Sequence, residues 1–202
     1  MMRKRVYISA DYSTSNGDRD VIDVLHKWGN DDLHTVDYVD TAGVVSGSVS
    51  TNSDCRACDL KREFNRQINA SSTVIFVVGD KTATRTAGSG CERWQKSMAE
   101  CTCTPYKQNI YGKKQCKVYS TVGAGDDVGN INSYSYLRHE FEQAIKRRKN
   151  IVIVYNSLYK QPSWLPSYMS GYENIAEPFW VKNSWGDRSG NYAFIKRALE
   201  YE

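Results

Sequence analysis

Apolar residues recur along the chain with two periods, and the changes between them mark out the elements. Val6, Ile8 and their neighbours form a short strand behind a basic start. From Asp18 to Gly29, Val21, Val24, Leu25 and Trp28 take the i, i+3, i+4, i+7 spacing of one helical face, and Gly29 ends it. Val36 to Val39 is a second strand, ending at Asp40, and Thr41 to Asn52 is a loop rich in Gly, Ser and Thr. A second helix is predicted from about Asp59, with Leu60, Phe64 and Ile68 four apart. Thr73 to Val78 is a continuous β-branched and aromatic run, as found in parallel strands buried on both faces.

The pattern then fails from Gly79 to about Asn132, a stretch with four cysteines and many glycines that reads as an insertion (79–132). A helix follows from about Ser135 to Arg148, with Leu137, Phe141, Ala144 and Ile145 as its stripe and Lys146 to Lys149 at its basic end. Ile151 to Tyr155 is another buried strand. The remainder, a C-terminal extension (156–202), is aromatic and loop-like to Gly190, with Trp164, Trp180 and Trp185, and then helical from Asn191 to about Leu199. Strands alternating with helices predict an α/β layer fold with a mainly parallel sheet. Such sheets bind ligands beyond the carboxyl ends of their strands, which points to the loops after Ser9, Val39, Val78 and Tyr155.

Composition narrows the classes. A chain of 202 residues, 40% apolar and 25% charged, suits one compact domain and rules out disorder, collagen and coiled coil as its class. Lysine and arginine outnumber the acids by 27 to 23 in scattered clusters, which makes nucleic acid an unlikely partner. No apolar run nears the roughly 18 residues of a membrane helix. Arg3, Lys4 and Arg5 are followed by only Val6 to Ala10 before Asp11, too short for a secretory signal, so a cytoplasmic location is expected.

Several motifs fall short. Gly123 to Gly129 resembles a phosphate loop, but Asp126 and Asp127 oppose a pyrophosphate and no amphipathic helix follows. His26, on the polar side of the first helix, and His34, in an acidic turn, read as surface residues. Cys55-Arg-Ala-Cys58, placed directly before the second predicted helix, is a spacing used for disulfide exchange. The polar loop ahead of it and the distance to any proline favour a plain thiol pair or half a metal site. Cys91, Cys101, Cys103 and Cys116 lie in the insertion, whose few apolar residues leave little to bury. Four thiolates on a structural zinc would supply that stability, with reduced free thiols as the alternative, since the spacing is not that of a standard finger or ribbon.

Glu140 stands out among the acids. On a helical wheel it lies beside Ala144 and Tyr136 at the border of the apolar stripe, partly withdrawn from water, while Glu142 points away with Lys146. A purely structural Glu140 would pair with Arg138, His139 or a nearby lysine. A functional one would use the start of its helix, which faces the same sheet edge as the loop Ala10 to Gly17.

Arg5-Val-Tyr-Ile-Ser-Ala-Asp-Tyr12, Tyr136-Leu-Arg-His-Glu-Phe141 and Asn150-Ile-Val-Ile-Val-Tyr-Asn156, in that order, resemble bacterial TIR-like domains, above all the TIR-like subunits of Thoeris anti-phage systems. The resemblance spans most of residues 4 to 156; the cysteine-rich insertion departs from it. It implies a flavodoxin-like sheet that binds NAD and cleaves the nicotinamide–ribose bond, with Glu140 as the catalytic carboxylate. Tyr136 stands where the family often has tryptophan, and Asp11, Tyr12 and Ser9 match the loop and strand end that line the pocket. The implied product is ADP-ribose or a cyclic form of it, read by a separate effector protein, and a homo-oligomer fits the family. The chemistry suits these residues: nicotinamide leaves a cationic pyridinium as a neutral base, positive charge moves to the ribose, and a fixed carboxylate in a water-poor pocket stabilises it. The rivals are a non-catalytic TIR-like interaction module, a nucleotide transferase with a glutamate nucleophile, and the thiol oxidoreductase.

Overall fold

The structure, a computed structural model, describes residues 4–11, 18–31, 36–40, 53–85, 106–108, 114–116 and 135–199; for 53–59, 61–62, 106–108 and 114–116 it describes the backbone alone. The elements are β1 (Lys4–Ser9), α1 (Arg19–Gly29), β2 (Val36–Val39), α2 (Ser53–Ala70), β3 (Thr73–Val78), β4 (Tyr106–Gln108), β5 (Lys114–Cys116), α3 (Tyr136–Lys146), β6 (Asn150–Tyr155), β7 (Glu177–Pro178), β8 (Trp180–Lys182), β9 (Arg188–Gly190) and α4 (Tyr192–Ala198).

Five strands form one sheet in the order β2-β1-β3-β6-β7, and every pairing in it is parallel. This is an α/β fold of flavodoxin-like topology. Strand alternation sorts the core into two layers. Val6, Ile8, Ile75, Val77, Val152 and Val154 face α1 and α4, where Val21, Leu25 and Ile195 meet them. Tyr7, Val74, Phe76, Val78, Ile153 and Tyr155 face α2 and α3, packing on Phe64, Ile68, Leu137, Phe141 and Ala144. The chain runs from β1 outward to β2, then returns past β1 to β3, so the order reverses between β1 and β3. The crevice of such a sheet opens there, beyond Ser9 and Val78.

Three expectations change. The second helix begins at Ser53, not near Asp59, so Cys55 and Cys58 lie within its opening turns rather than ahead of it. The apolar repeat starts only at Leu60, but no glycine or proline interrupts the chain from Ser53, and polar residues extend the helix towards its start. The insertion contains an antiparallel hairpin, β4 with β5, pairing Tyr106 with Cys116. Its three-residue strands are too short to show a period. The aromatic extension supplies a parallel edge strand, β7, whose Pro178 is tolerated at the sheet margin, and a hairpin of β8 and β9.

The tryptophans of that extension divide. Trp180 is buried and Trp164 packs on the α2–α3 layer, whereas Trp185 is 85% exposed. No described helix is long and apolar enough to cross a membrane.

Candidate active site

β1 and α3 build the site. Alternation along β1 turns Tyr7 and Ser9 to the α3 side, and Ser9, the last residue of the strand, pairs in register with Phe76 of β3. Ser135 caps α3 by accepting the Arg138 amide at 3.3 Å, which fixes the start of the helix over the sheet's carboxyl edge. One turn on, the Glu140 carboxylate accepts the Tyr7 hydroxyl on Oε1 and the Ser9 hydroxyl on Oε2. All three residues are buried, Glu140 to 3% exposure. Burial raises the Glu140 pKa to about 7, against the downward pull of the Ser9 and Tyr7 hydrogen bonds. Near neutral pH the group divides between its acid and its anion.

This is deeper than the border position that the helical wheel assigns. α3 packs on the sheet beneath it and on α2 beside it, so its buried face widens to take in Leu137, His139, Glu140, Phe141, Gln143 and Ala144. The pairings expected of a structural glutamate do not form. Arg138 Nε donates to Glu142 at 2.7 Å, and His139 Nε2 bonds Asn65 Oδ1 of α2 at 2.8 Å. Glu142, on the outward side of the helix, pairs with Arg138. Gln143 Nε2 donates to Asn69 Oδ1 at 3.0 Å, completing a polar seam between α2 and α3.

The other predicted residues scatter around this centre. Tyr136 stands edge-on to Phe64, ring centroids 5.5 Å apart. Asp11, just past β1, is ion-paired with Arg85 from the segment after β3, which ties the two sides of the crevice together. Tyr12 lies outside the described residues, as do Cys91, Cys101 and Cys103, and Cys116 is described by its backbone in β5. Among the described residues no group of three or more histidines, cysteines or acids is placed to hold a metal. His26 is no plain surface residue: its ring bonds Asp40 Oδ2 at 2.7 Å, joining α1 to the end of β2, and that bond raises its pKa.

Sequence reasoning missed Asp18. At the head of an amphipathic run an aspartate reads as a helix cap, yet its side chain makes no capping bond. It turns into the protein instead, at 3% exposure, where Asn156 Nδ2 donates to it at 2.9 Å. Burial raises its pKa to about 7, with the Asp11 and Asp20 charges adding to the rise. Only long-range placement reveals it, because Asn156 lies after β6. Tyr155, at the end of β6, has a buried hydroxyl with no hydrogen-bond partner among the described residues.

Fold and site together define a parallel α/β protein of flavodoxin-like topology, with a buried carboxyl held by two hydroxyls at the carboxyl end of its first strand. No family model, no curated protein and no solved structure matches the chain.

Proposed function

We propose that this chain is a TIR-like enzyme that cleaves NAD at the nicotinamide–ribose bond, with Glu140 as its catalytic carboxylate. The observation that carries the reading is the placement of Glu140: buried at the carboxyl end of β1, beside the point where strand order reverses, and held by Tyr7 and Ser9 rather than by a cation. A carboxyl so held is pre-positioned, and its anion is poorly solvated by water. Both properties suit stabilisation of an oxocarbenium-like ribose as nicotinamide departs. The motifs shared with TIR-like domains bring in NAD as substrate, and the Thoeris likeness brings in a cyclic ADP-ribose signal read by an effector in anti-phage defence.

On this reading Ser9 and Tyr7 orient the carboxylate, Tyr136 offers an aromatic face for a base, and Asp11 and Tyr12 line the entry. The insertion cysteines Cys91, Cys101, Cys103 and Cys116 hold a structural zinc. Incubating the protein with NAD and measuring free nicotinamide tests the proposal: wild type releases it and Glu140→Gln does not. Equal release by both proteins would remove Glu140 from the chemistry.

One observation favours a second reading, a non-catalytic TIR-like interaction module. Both Glu140 oxygens already have partners inside the protein, as a structural carboxyl would. In that case neither protein releases nicotinamide and Glu140→Gln changes stability alone.

A further inference from the structure

We propose that the amino-terminal edge of the sheet, opposite the Glu140 site, is a docking surface for anionic lipid headgroups, built by Arg147 and Arg148 after α3 and by Lys196 and Arg197 at the end of α4. The inference uses no residue of the candidate active site and does not depend on NAD cleavage.

Cations that lie apart in the sequence come together at this edge. α3 hands over to β6 through Arg147, Arg148 and Lys149, and Asn150, the first residue of β6, donates its side-chain amide to Ala198 O of α4 at 2.8 Å. Lys4, the first residue of β1, donates to Leu199 O at 2.8 Å. The ends of α3 and α4 therefore flank one sheet edge, from the two opposite faces of the sheet. Basic residues at helix ends ordinarily serve the last carbonyls, but here that task is filled by others. The amides of Arg147, Arg148 and Lys149 close α3 on Gln143 O, Ile145 O and Ala144 O. Lys149 Nζ serves the end of α2, donating to Asn69 O at 2.9 Å and Ser71 O at 2.6 Å, while Lys4 and Asn150 serve α4.

Arg147, Arg148, Lys196 and Arg197 are left over: all four are exposed, and their side chains form no hydrogen bond or ion pair among the described residues. The acids of adjoining elements are engaged elsewhere, Asp37 of β2 with Arg5 and Glu142 of α3 with Arg138. Burial, and after it the charge of Arg147, holds the Lys149 ammonium below its ordinary pKa, so the cations crowd one another. Arg148 adds a second observation. At a φ of 50° it alone among the described non-glycine residues takes the left-handed conformation, which strains any residue with a Cβ and which glycine adopts freely. An arginine at that position gives up backbone stability and sets a cation at the edge. Ile145, 45% exposed in the same helical turn, decides the kind of anion. A nucleic-acid backbone offers it no partner, whereas a bilayer interface receives cations and an apolar side chain together. Docking here leaves the carboxyl edge of the sheet facing water.

Co-sedimentation of the full chain with vesicles tests the proposal. Phosphatidylcholine vesicles holding about 30% phosphatidylserine are expected to carry the protein down at about 0.1 M salt and to release it at about 0.5 M, while pure phosphatidylcholine leaves it in solution. Arg147→Gln with Arg148→Gly removes two cations and lowers the partition coefficient about 30-fold, at roughly fivefold per cation. Its thermal midpoint holds or rises, because glycine relaxes the left-handed residue. Lys196→Gln with Arg197→Gln, on the other helix, gives a similar loss without touching that turn, and Ile145→Asn weakens binding about fivefold at either salt concentration. No sedimentation with the acidic vesicles, equal sedimentation with neutral ones, or wild-type binding by either charge variant overturns the proposal. Tighter binding to a duplex DNA oligonucleotide than to the vesicles, indifferent to Ile145→Asn, assigns the surface to nucleic acid and overturns it as well.

Discussion

The Ser9 hydroxyl closes β1 by donating to Glu140, 131 residues further along the chain. With Tyr7 on the other oxygen, the strand grips a carboxyl that the helix carries in, and the two elements share one buried polar site.

Replacing Glu140 by glutamine removes a buried titrating group. Its folded pKa of about 7 lies above the ordinary 4.5, so the folded state favours the proton. The stability this gives is complete below about pH 4.5 and is lost as pH climbs through about 7. Glu140→Gln is therefore expected to match wild type in thermal melts near pH 5 and exceed it near pH 8, by at most about 3 kcal/mol. A variant less stable than wild type at pH 8 would show that the anion is a net structural asset.

On the proposed NAD-cleaving function the Glu140 anion is the working form, and nicotinamide release is then expected to rise with pH through about 7. Ser9→Ala and Tyr7→Phe each remove a hydrogen bond that favours the charged form, and shift the midpoint of the profile upward while activity recovers on the alkaline side. A fall in activity with no change in midpoint would assign Ser9 and Tyr7 to packing.

Gly79→Ala places a methyl against the Asp18 carboxyl. The expected cost is about 1–3 kcal/mol in denaturant unfolding, as for other overpacked interiors. An unchanged unfolding midpoint would show that the segment after β3 yields freely.

Tyr155→Phe deletes a buried hydroxyl without a partner among the described residues. Such a group gives back nothing for its lost hydration, so the variant is expected to equal or exceed wild type by up to about 1–2 kcal/mol. A clear loss of stability would reveal a bond to that hydroxyl.

Much of the architecture was legible in the sequence. β2 and β3 fall where the apolar runs begin and end, and the face of α1 follows its repeat, because burial against one sheet imposes a period of its own on each element. The polar opening of α2 and the three-residue strands of β4 and β5 left no period to read. Glu140 was visible as an acid beside an apolar stripe; its depth was not, since a helical wheel shows one helix and takes no account of α2 across from it.

Sequence alone determined the alternation of strands and helices, the parallel sheet that follows from it, and the edge of that sheet where a site belongs. All three are local patterns, or consequences of connecting local elements. Only the tertiary structure decided that Glu140 meets Tyr7 and Ser9, that Asp18 turns inward to Asn156 instead of capping its helix, and that the aromatic tail completes the sheet. The side-chain pairings among these join residues more than a hundred positions apart, and their energies come from burial, which no local period encodes.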